Sequence, residues 1–415
     1  MQKSQQQYEE VVHEHASPLS EQAQQPAPAA RHWSQGRLGA ASHNDSSEDD
    51  AHSIQFLGSG SEYFRIWIVN LCLSIATLGI YSAWAKVRRL QYFERNTQLA
   101  GAVFNFHGNP KAILRGRIIA LALLIAYHYA FGFSKAIGVG VVAFLFISMP
   151  WFLRSALRFR TRNTSYRGLR FDFNGSLAGA YATYLPMMLV FLLPGTLLAL
   201  YPTNTLAYSS FMLYLLWPLL HARIKRYQHE NIKYGSTLAT YDLPSSRFWR
   251  PYIIAILLGL MSLVLVTCIV ALTFGIANRT SSAATNSASS FTTMVIIFAS
   301  TLATTYLLYL FSGPYLHVRL QNLVWSHTSF QGMRIESRLR AGPYLKLQAV
   351  NVFFTLLSLG LYRPFALVKV HRYRLGQVSV TAAGGFANVL AAEHRESSGA
   401  SGEGTADFLG IDLSW

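Results

Sequence analysis

Long apolar runs alternate with basic, aromatic stretches along most of this chain. Residues 118–133, 136–153, 181–201, 206–220, 252–277 and 293–316 are six such runs. Each reaches or approaches the roughly 20 residues that a helix needs to cross a bilayer. The polar stretches between them differ in kind. Residues 86–117, 154–180, 221–251 and 317–346 hold nearly all the Lys and Arg, whereas the alternate loops hold only Lys135 and Arg279. Positive charge collects on the cytoplasmic side of membrane proteins, so the pattern predicts cytoplasmic basic loops and short outward ones.

Two further apolar segments, 63–85 and 344–368, do not fit a simple crossing. The first runs into Lys86, Arg88 and Arg89. The second begins after Arg334, Arg338 and Arg340 and ends in Lys369, Arg372 and Arg374. They also match each other: Asn70 with Asn351, Leu78-Gly79 with Leu359-Gly360, and Tyr81 with Tyr362. Glycine is unfavourable inside a helix, so each Leu-Gly is predicted to be a turning point. Each segment then reads as a re-entrant helix–turn–helix, with both chain termini cytoplasmic. Non-helical backbone is tolerated at membrane depth only where protein buries it. The alternative is two ordinary spans with both termini outside. Either way the expected class is an all-α polytopic membrane protein with six to eight membrane helices.

The basic loops carry an internal repeat. "NTQLAGAVFNFHGN" (96–109) and "NTSYRGLRFDFNGS" (163–176) share Asn, Thr, Gly, Phe-x-Phe and Gly at equal spacing. Weaker copies are "NIKYGSTLATY" (231–241) and "HTSFQGMRIES" (327–337). Alternation such as Phe104-Asn105-Phe106 suits a short, half-buried strand. The unit reads as membrane helix, basic extension, turn, short strand, Gly, next membrane helix. Its strands are expected to pair into a small cytoplasmic sheet.

Composition supports the membrane class. Only 13% of the 415 residues are charged, against about 25% in soluble domains. The chain's net charge is +16, and its basic excess resides in the segment 54–390, the multi-span domain. It reads as cationic loops, not as a nucleic-acid surface. Residues 1–53 are acidic, polar and without an apolar core, which predicts a disordered tail and no cleavable signal peptide. Residues 391–415 read as a flexible, Gly/Ser-rich tail. The two cysteines, Cys72 and Cys268, lie in apolar runs and read as small packing residues.

The pattern Asn70…Thr77-Leu78-Gly79-Ile80-Tyr81…Trp84-Ala85-Lys86-Val87-Arg88 is distinctive, as is Leu359-Gly360-Leu361-Tyr362-Arg363-Pro364-Phe365-Ala366. Together with "FLGSGSEYF" (56–64) and the repeated loop motif, it resembles the YjgN family of bacterial inner-membrane proteins over about residues 54–385. The resemblance implies a multi-pass inner-membrane protein and brings no catalytic residues or cofactor.

Catalytic motifs are not found: no Walker A loop, no His-Glu-x-x-His, no paired Cys motif, and no Asp or Glu in the six spans. An enzyme is therefore not expected, and neither a metal nor a cofactor. Asn70 and Asn351, with Gly79, Tyr81, Gly360, Tyr362 and Arg363, form one set of candidates. The Asn side chains are expected to bond the backbone freed at the Gly break, the alternative being a shared polar pathway. His221 and His317 each follow a proline by three positions. They read as interfacial anchors first and as a ligand or metal site second. Arg88, Arg89, Arg158, Arg223, Arg226, Arg319 and Arg372 read as topology determinants or as a rim for anionic lipid headgroups or solutes. The functional expectation is a transporter or channel-like protein for a small anionic solute. The alternative is a protein that organises lipids or partner proteins through its basic face.

Overall fold

In a computed structural model, the described residues are 50–280, 286–330 and 332–382. The tail expected at 1–53 falls almost wholly outside them, and so do the tail at 391–415 and part of the outward loop 278–291. The chain is mostly helical, in order α1 (Gly60–Ala76), α2 (Ser82–Arg95), α3 (Pro110–Phe133), α4 (Lys135–Arg162), α5 (Leu177–Leu200), α6 (Thr205–Ser209), α7 (Trp217–Glu230), α8 (Trp249–Thr280), α9 (Asn286–Trp325), α10 (Ala341–Leu357) and α11 (Arg363–Leu375).

Helix starts are encoded locally. Side-chain oxygens of Ser59, Asn109, Ser134 and Ser176 accept hydrogen bonds from the first free backbone N–H groups of α1, α3, α4 and α5. Pro110 occupies the first turn of α3, where its missing N–H costs nothing.

Among the described residues, four segments are long and apolar enough to cross a membrane: Pro110–Ala130, Lys135–Arg162, Leu177–Leu198 and Ser245–Leu272. The run 293–316 lies within the continuous helix α9. The run 206–220 lies in an unbroken helical stretch of mixed type. It divides into α6, a 3₁₀ turn at Ser210–Leu216 and the start of α7. Asn204 caps α6, and Pro218 sits in the first turn of α7, where proline favours a helix start.

The expectation of an all-α fold with minor β elements understates the strands. These are β1 (Asp50–Ser53), β2 (Gln55–Phe56), β3 (Thr97–Leu99), β4 (Ala102–Phe106), β5 (Thr164–Tyr166), β6 (Leu169–Phe173), β7 (Ile232–Tyr234), β8 (Thr237–Leu238), β9 (Thr240–Tyr241), β10 (Thr328–Phe330), β11 (Met333–Ser337) and β12 (Val378–Ala382). The turns Ala100-Gly101 and Arg167-Gly168 have positive φ at both positions, the two-residue hairpin geometry whose twist matches that of paired strands. Neighbouring hairpins then pair, with Phe104 opposite Tyr166 and Phe171 opposite Tyr234.

The strands make a seven-stranded sheet, β2-β3-β4-β5-β6-β7-β8, and a five-stranded sheet, β1-β12-β11-β10-β9. Continuous backbone joins the two at both edges. Only Ile54 separates β1 from β2, and only Ala239 separates β8 from β9. Ile54 N donates to Val378 O (3.0 Å), and Ala239 N donates to Ile232 O (2.8 Å). The sheets thus close into one ring, which leaves no long free edge. Its interior is apolar, packed by Leu99, Tyr166, Leu169, Tyr234, Met333, Ile335, Val378 and Val380. The buried hydroxyls find carbonyls: Tyr166 OH donates to Leu99 O (2.7 Å) and Tyr234 OH to Tyr166 O (3.2 Å).

Each terminal apolar segment is a helix–turn–helix, α1–α2 and α10–α11. The turns place Leu78 at φ 49° and Gly79 at φ 90°, and Leu359 at φ 49° and Gly360 at φ 93°. The two helical hairpins meet: Phe64 stacks on Phe365 (5.4 Å), and Arg372 donates to Gly58 O (2.7 Å).

Candidate functional site: a basic cavity between helix ends

Downstream of its proline, α7 places His221, Lys225, Gln228 and His229 on one face. This follows from their i, i+4, i+7 and i+8 positions, which fall on one side of a helix. In α9, His317, Leu320, Gln321, Val324 and Trp325 do the same. These two faces, with Leu157 and Thr161 of α4, Phe173 of β6, Ile232 of β7 and Arg374 of α11, enclose a cavity of about 300 Å³. Its lining holds Lys225, Arg374 and three histidines, and no carboxylate among the described residues.

Hydrogen bonds and ring contacts fix these side chains. His221 Nδ1 and Tyr252 OH are 2.6 Å apart. His229 Nδ1 lies 3.1 Å from Thr328 Oγ1, and its ring meets Trp325 edge-on at 5.0 Å. His317 stacks on Tyr344 at 5.6 Å. Arg374 Nε donates to Gln321 Oε1 (2.9 Å). Nε2 of His317 and Oε1 of Gln228 are buried without a hydrogen-bond partner.

Electrostatics follow from burial and like charge. Burial, reinforced by Arg374, pushes Lys225 down to about 8. Burial, reinforced by Lys225, pushes His221 down to about 4 and His229 to about 3. Burial, with Arg374 and Lys225, takes His317 to about 4. Burial also lowers Arg374, against the pull of Tyr344, and Arg160 adds to the lowering. Arg160 acts as well on Glu94 of α2, whose carboxyl burial pushes up. At neutral pH the histidines are thus neutral, while Lys225 and Arg374 are cationic. A largely apolar concavity holding two cations favours an anion.

The residues singled out from sequence separate into three places. His221 and His317 come together in the cavity. Asn70 and Arg89 line a second pocket, of about 310 Å³, between α1, α2 and α3. Asn351 lies outside both. The expectation that Asn70 and Asn351 bond the freed backbone is corrected. Asn70 Oδ1, and both Oδ1 and Nδ2 of Asn351, are buried without a partner. Hydroxyls do that work instead: Thr77 Oγ1 donates to Leu73 O and accepts from Tyr81 N, and Ser358 Oγ accepts from Tyr362 N. Tyr362 OH accepts from Lys369 Nζ (2.6 Å), and Arg363 is exposed.

The arginines differ in their contacts. Arg226 donates to Leu243 O (3.0 Å) and Arg372 to Gly58 O. Arg88 lies over the Tyr81 ring and Arg319 over the Tyr315 ring, each at 5.7 Å. Arg223 is exposed, and Arg158 Nε is buried without a partner. Sequence reasoning missed Lys225, His229, Gln228, Gln321 and Arg374. The i, i+4, i+8 spacing of His221, Lys225 and His229 was an available signal. It marks a shared face and cannot say what that face meets.

Comparisons place the chain. The inner membrane protein YjgN of Escherichia coli O157:H7 is 29% identical over 147 residues, 34% of this chain and 36% of that protein. The protein of the same name from strain K12 gives the same figures. That of Salmonella typhimurium LT2 is 29% identical over 154 residues, 35% of this chain and 38% of its own length. The chain therefore matches little more than a third of the length of these relatives. No solved structure matches. A family model described as "Bacterial protein of unknown function (DUF898)" matches residues 51–408, a span that takes in both helical hairpins and nearly all of the strand ring, and the chain belongs to that family.

Proposed function

We propose that this chain is a multi-pass inner-membrane protein that binds a small anionic solute in the basic cavity and passes it across the bilayer. The carrying observation is the cavity between α4, α7, α9 and α11, which gathers Lys225 and Arg374 with no lining carboxylate among the described residues. Two cations gathered in a largely apolar lining attract a small anion more strongly than they would in water. The relatives' name, inner membrane protein, and the apolar helices support the location. The excess of Lys and Arg in alternate loops supports a cytoplasmic strand ring and cavity.

In this reading α1–α2 and α10–α11 are re-entrant. Their turns present Leu78 and Leu359 with 95% and 96% of their surface exposed. Such residues suit hairpin tips dipping into lipid from the cytoplasmic side, and they leave both termini cytoplasmic. With the runs 206–220 and 293–316 counted beside the four long apolar segments, the membrane domain holds six crossings and two re-entrant hairpins. The role is binding and passage, not catalysis.

Flux in proteoliposomes tests it. Chloride, inorganic phosphate and succinate are offered separately, with the wild-type chain and with Lys225→Met or Arg374→Gln. At least one anion should pass with the wild type, and either substitution should cut its rate by about tenfold or more, as for loss of one charge-assisted contact. Passage of none of these anions, or passage indifferent to both substitutions, rejects the reading.

A further inference from the structure

We propose that the second pocket, between α1, α2 and α3, binds the headgroup of an anionic phospholipid that carries a headgroup hydroxyl, the phosphatidylglycerol class. The pocket, about 310 Å³, gathers Lys86, Arg89 and Arg117 beside Ser82, with no carboxylate among its described lining residues. Those cations come from two different helices. Arg117 of α3 is held by a hydrogen bond to Ser82 Oγ at the start of α2. A phosphodiester needs just such convergent donors.

Asn70 narrows the ligand further. It is only 7% exposed, lines the same pocket, and its Oδ1 has no hydrogen-bond partner. A carbonyl oxygen cannot bond a phosphate oxygen, because both are acceptors. The ligand must therefore bring a donor as well as a phosphate. An ammonium donor, as in phosphatidylethanolamine, would sit among Lys86, Arg89 and Arg117 and be repelled. A hydroxyl supplies the donor without that charge.

The surroundings favour a lipid over a soluble phosphate ester. Just beyond the pocket, α1 and its turn expose Leu73, Ile75, Leu78 and Ile80, an apolar flank on which acyl chains can lie. The inference needs the helical hairpin to face lipid. It does not depend on solute passage through the basic cavity.

Native mass spectrometry of the full chain in detergent, titrated separately with phosphatidylglycerol, phosphatidylethanolamine, phosphatidic acid and glycerol phosphate, tests it. Phosphatidylglycerol should bind about tenfold more tightly than phosphatidylethanolamine. Arg89→Gln combined with Lys86→Gln should remove that preference, whereas Arg89→Lys should retain most of it. Asn70→Leu separates the donor argument from plain charge. It should lower binding of phosphatidylglycerol and leave binding of phosphatidic acid, which has no headgroup alcohol, unchanged. Thermal unfolding of each variant checks that the fold persists. Equal binding of phosphatidylethanolamine, or an unchanged ratio of phosphatidylglycerol to phosphatidic acid in Asn70→Leu, overturns the proposal. So does equal competition by glycerol phosphate, which would make the ligand soluble.

Discussion

Lys225 shows how one residue sets the chemistry of the cavity. Burial and Arg374 bring its ammonium down to about 8, so it is charged below that pH and neutral above it. Anion binding should be strong at pH 7 and fall as pH rises through 8. Lys225→Arg, whose guanidinium keeps its proton, should carry binding past pH 9, and Lys225→Met should weaken it at every pH. Binding of the anion that passes in flux assays, followed by calorimetry between pH 6 and 10, checks this; a flat profile for the wild type rules out Lys225 as the titrating group. Asn351 gives the opposite lesson. Its match to Asn70 was legible, but the partner its side chain would meet was not, because that depends on packing between distant elements. Two buried polar atoms without partners carry a desolvation cost of about 1–3 kcal/mol each. Asn351→Leu should therefore raise the unfolding temperature in detergent, and a fall would reveal a partner.

Tight turns were the most legible elements, because their causes are local. Leu78-Gly79 and Leu359-Gly360 stand where the chain turns. The 3₁₀ turn within the run 206–220 was not legible, because hydrophobicity alone cannot distinguish a regular helix from one that tightens midway. The turns yield a measurable difference. A Cβ added at Gly79 or Gly360 would meet nothing within 4 Å, so alanine there carries the backbone penalty of positive φ alone, about 1 kcal/mol. Gly132 lies within α3 and is equally open, so Gly132→Ala should be neutral or stabilising by up to about 1 kcal/mol. Unfolding of the three variants in one detergent makes the comparison direct. Equal effects at Gly79 and Gly132 would mean that the turn conformation is not what glycine serves there.

At the scale of the whole chain, closure was the least legible property. The repeated Phe-x-Phe motifs announced strands, but not that β1 would pair with β12 or that segments 50–56 and 237–241 would each join two sheets. Those contacts link the two ends of the membrane domain, where short strands carry almost no pairing signal. Histidines from α7, α9 and α11 are largely buried in this fold. His371 packs edge-on to Phe56 (4.9 Å) and Phe93 (4.7 Å), and burial, with Arg374 and Arg160, takes it to about 4. His221, His317 and His229 are held at about 4, 4 and 3. Each has a folded value below its ordinary 6.5, so the unfolded chain binds more protons between those limits and stability rises with pH there. Above pH 6.5 the contribution is complete; as pH falls from 6.5 toward 4 it is lost. The unfolding temperature should therefore hold steady between pH 7 and 8 and drop steeply from pH 6 to 4.5. His371→Phe, which keeps a ring against Phe56 and Phe93 but cannot take a proton, should flatten that drop. An acid slope unchanged in His371→Phe would assign the sensitivity to groups other than this one.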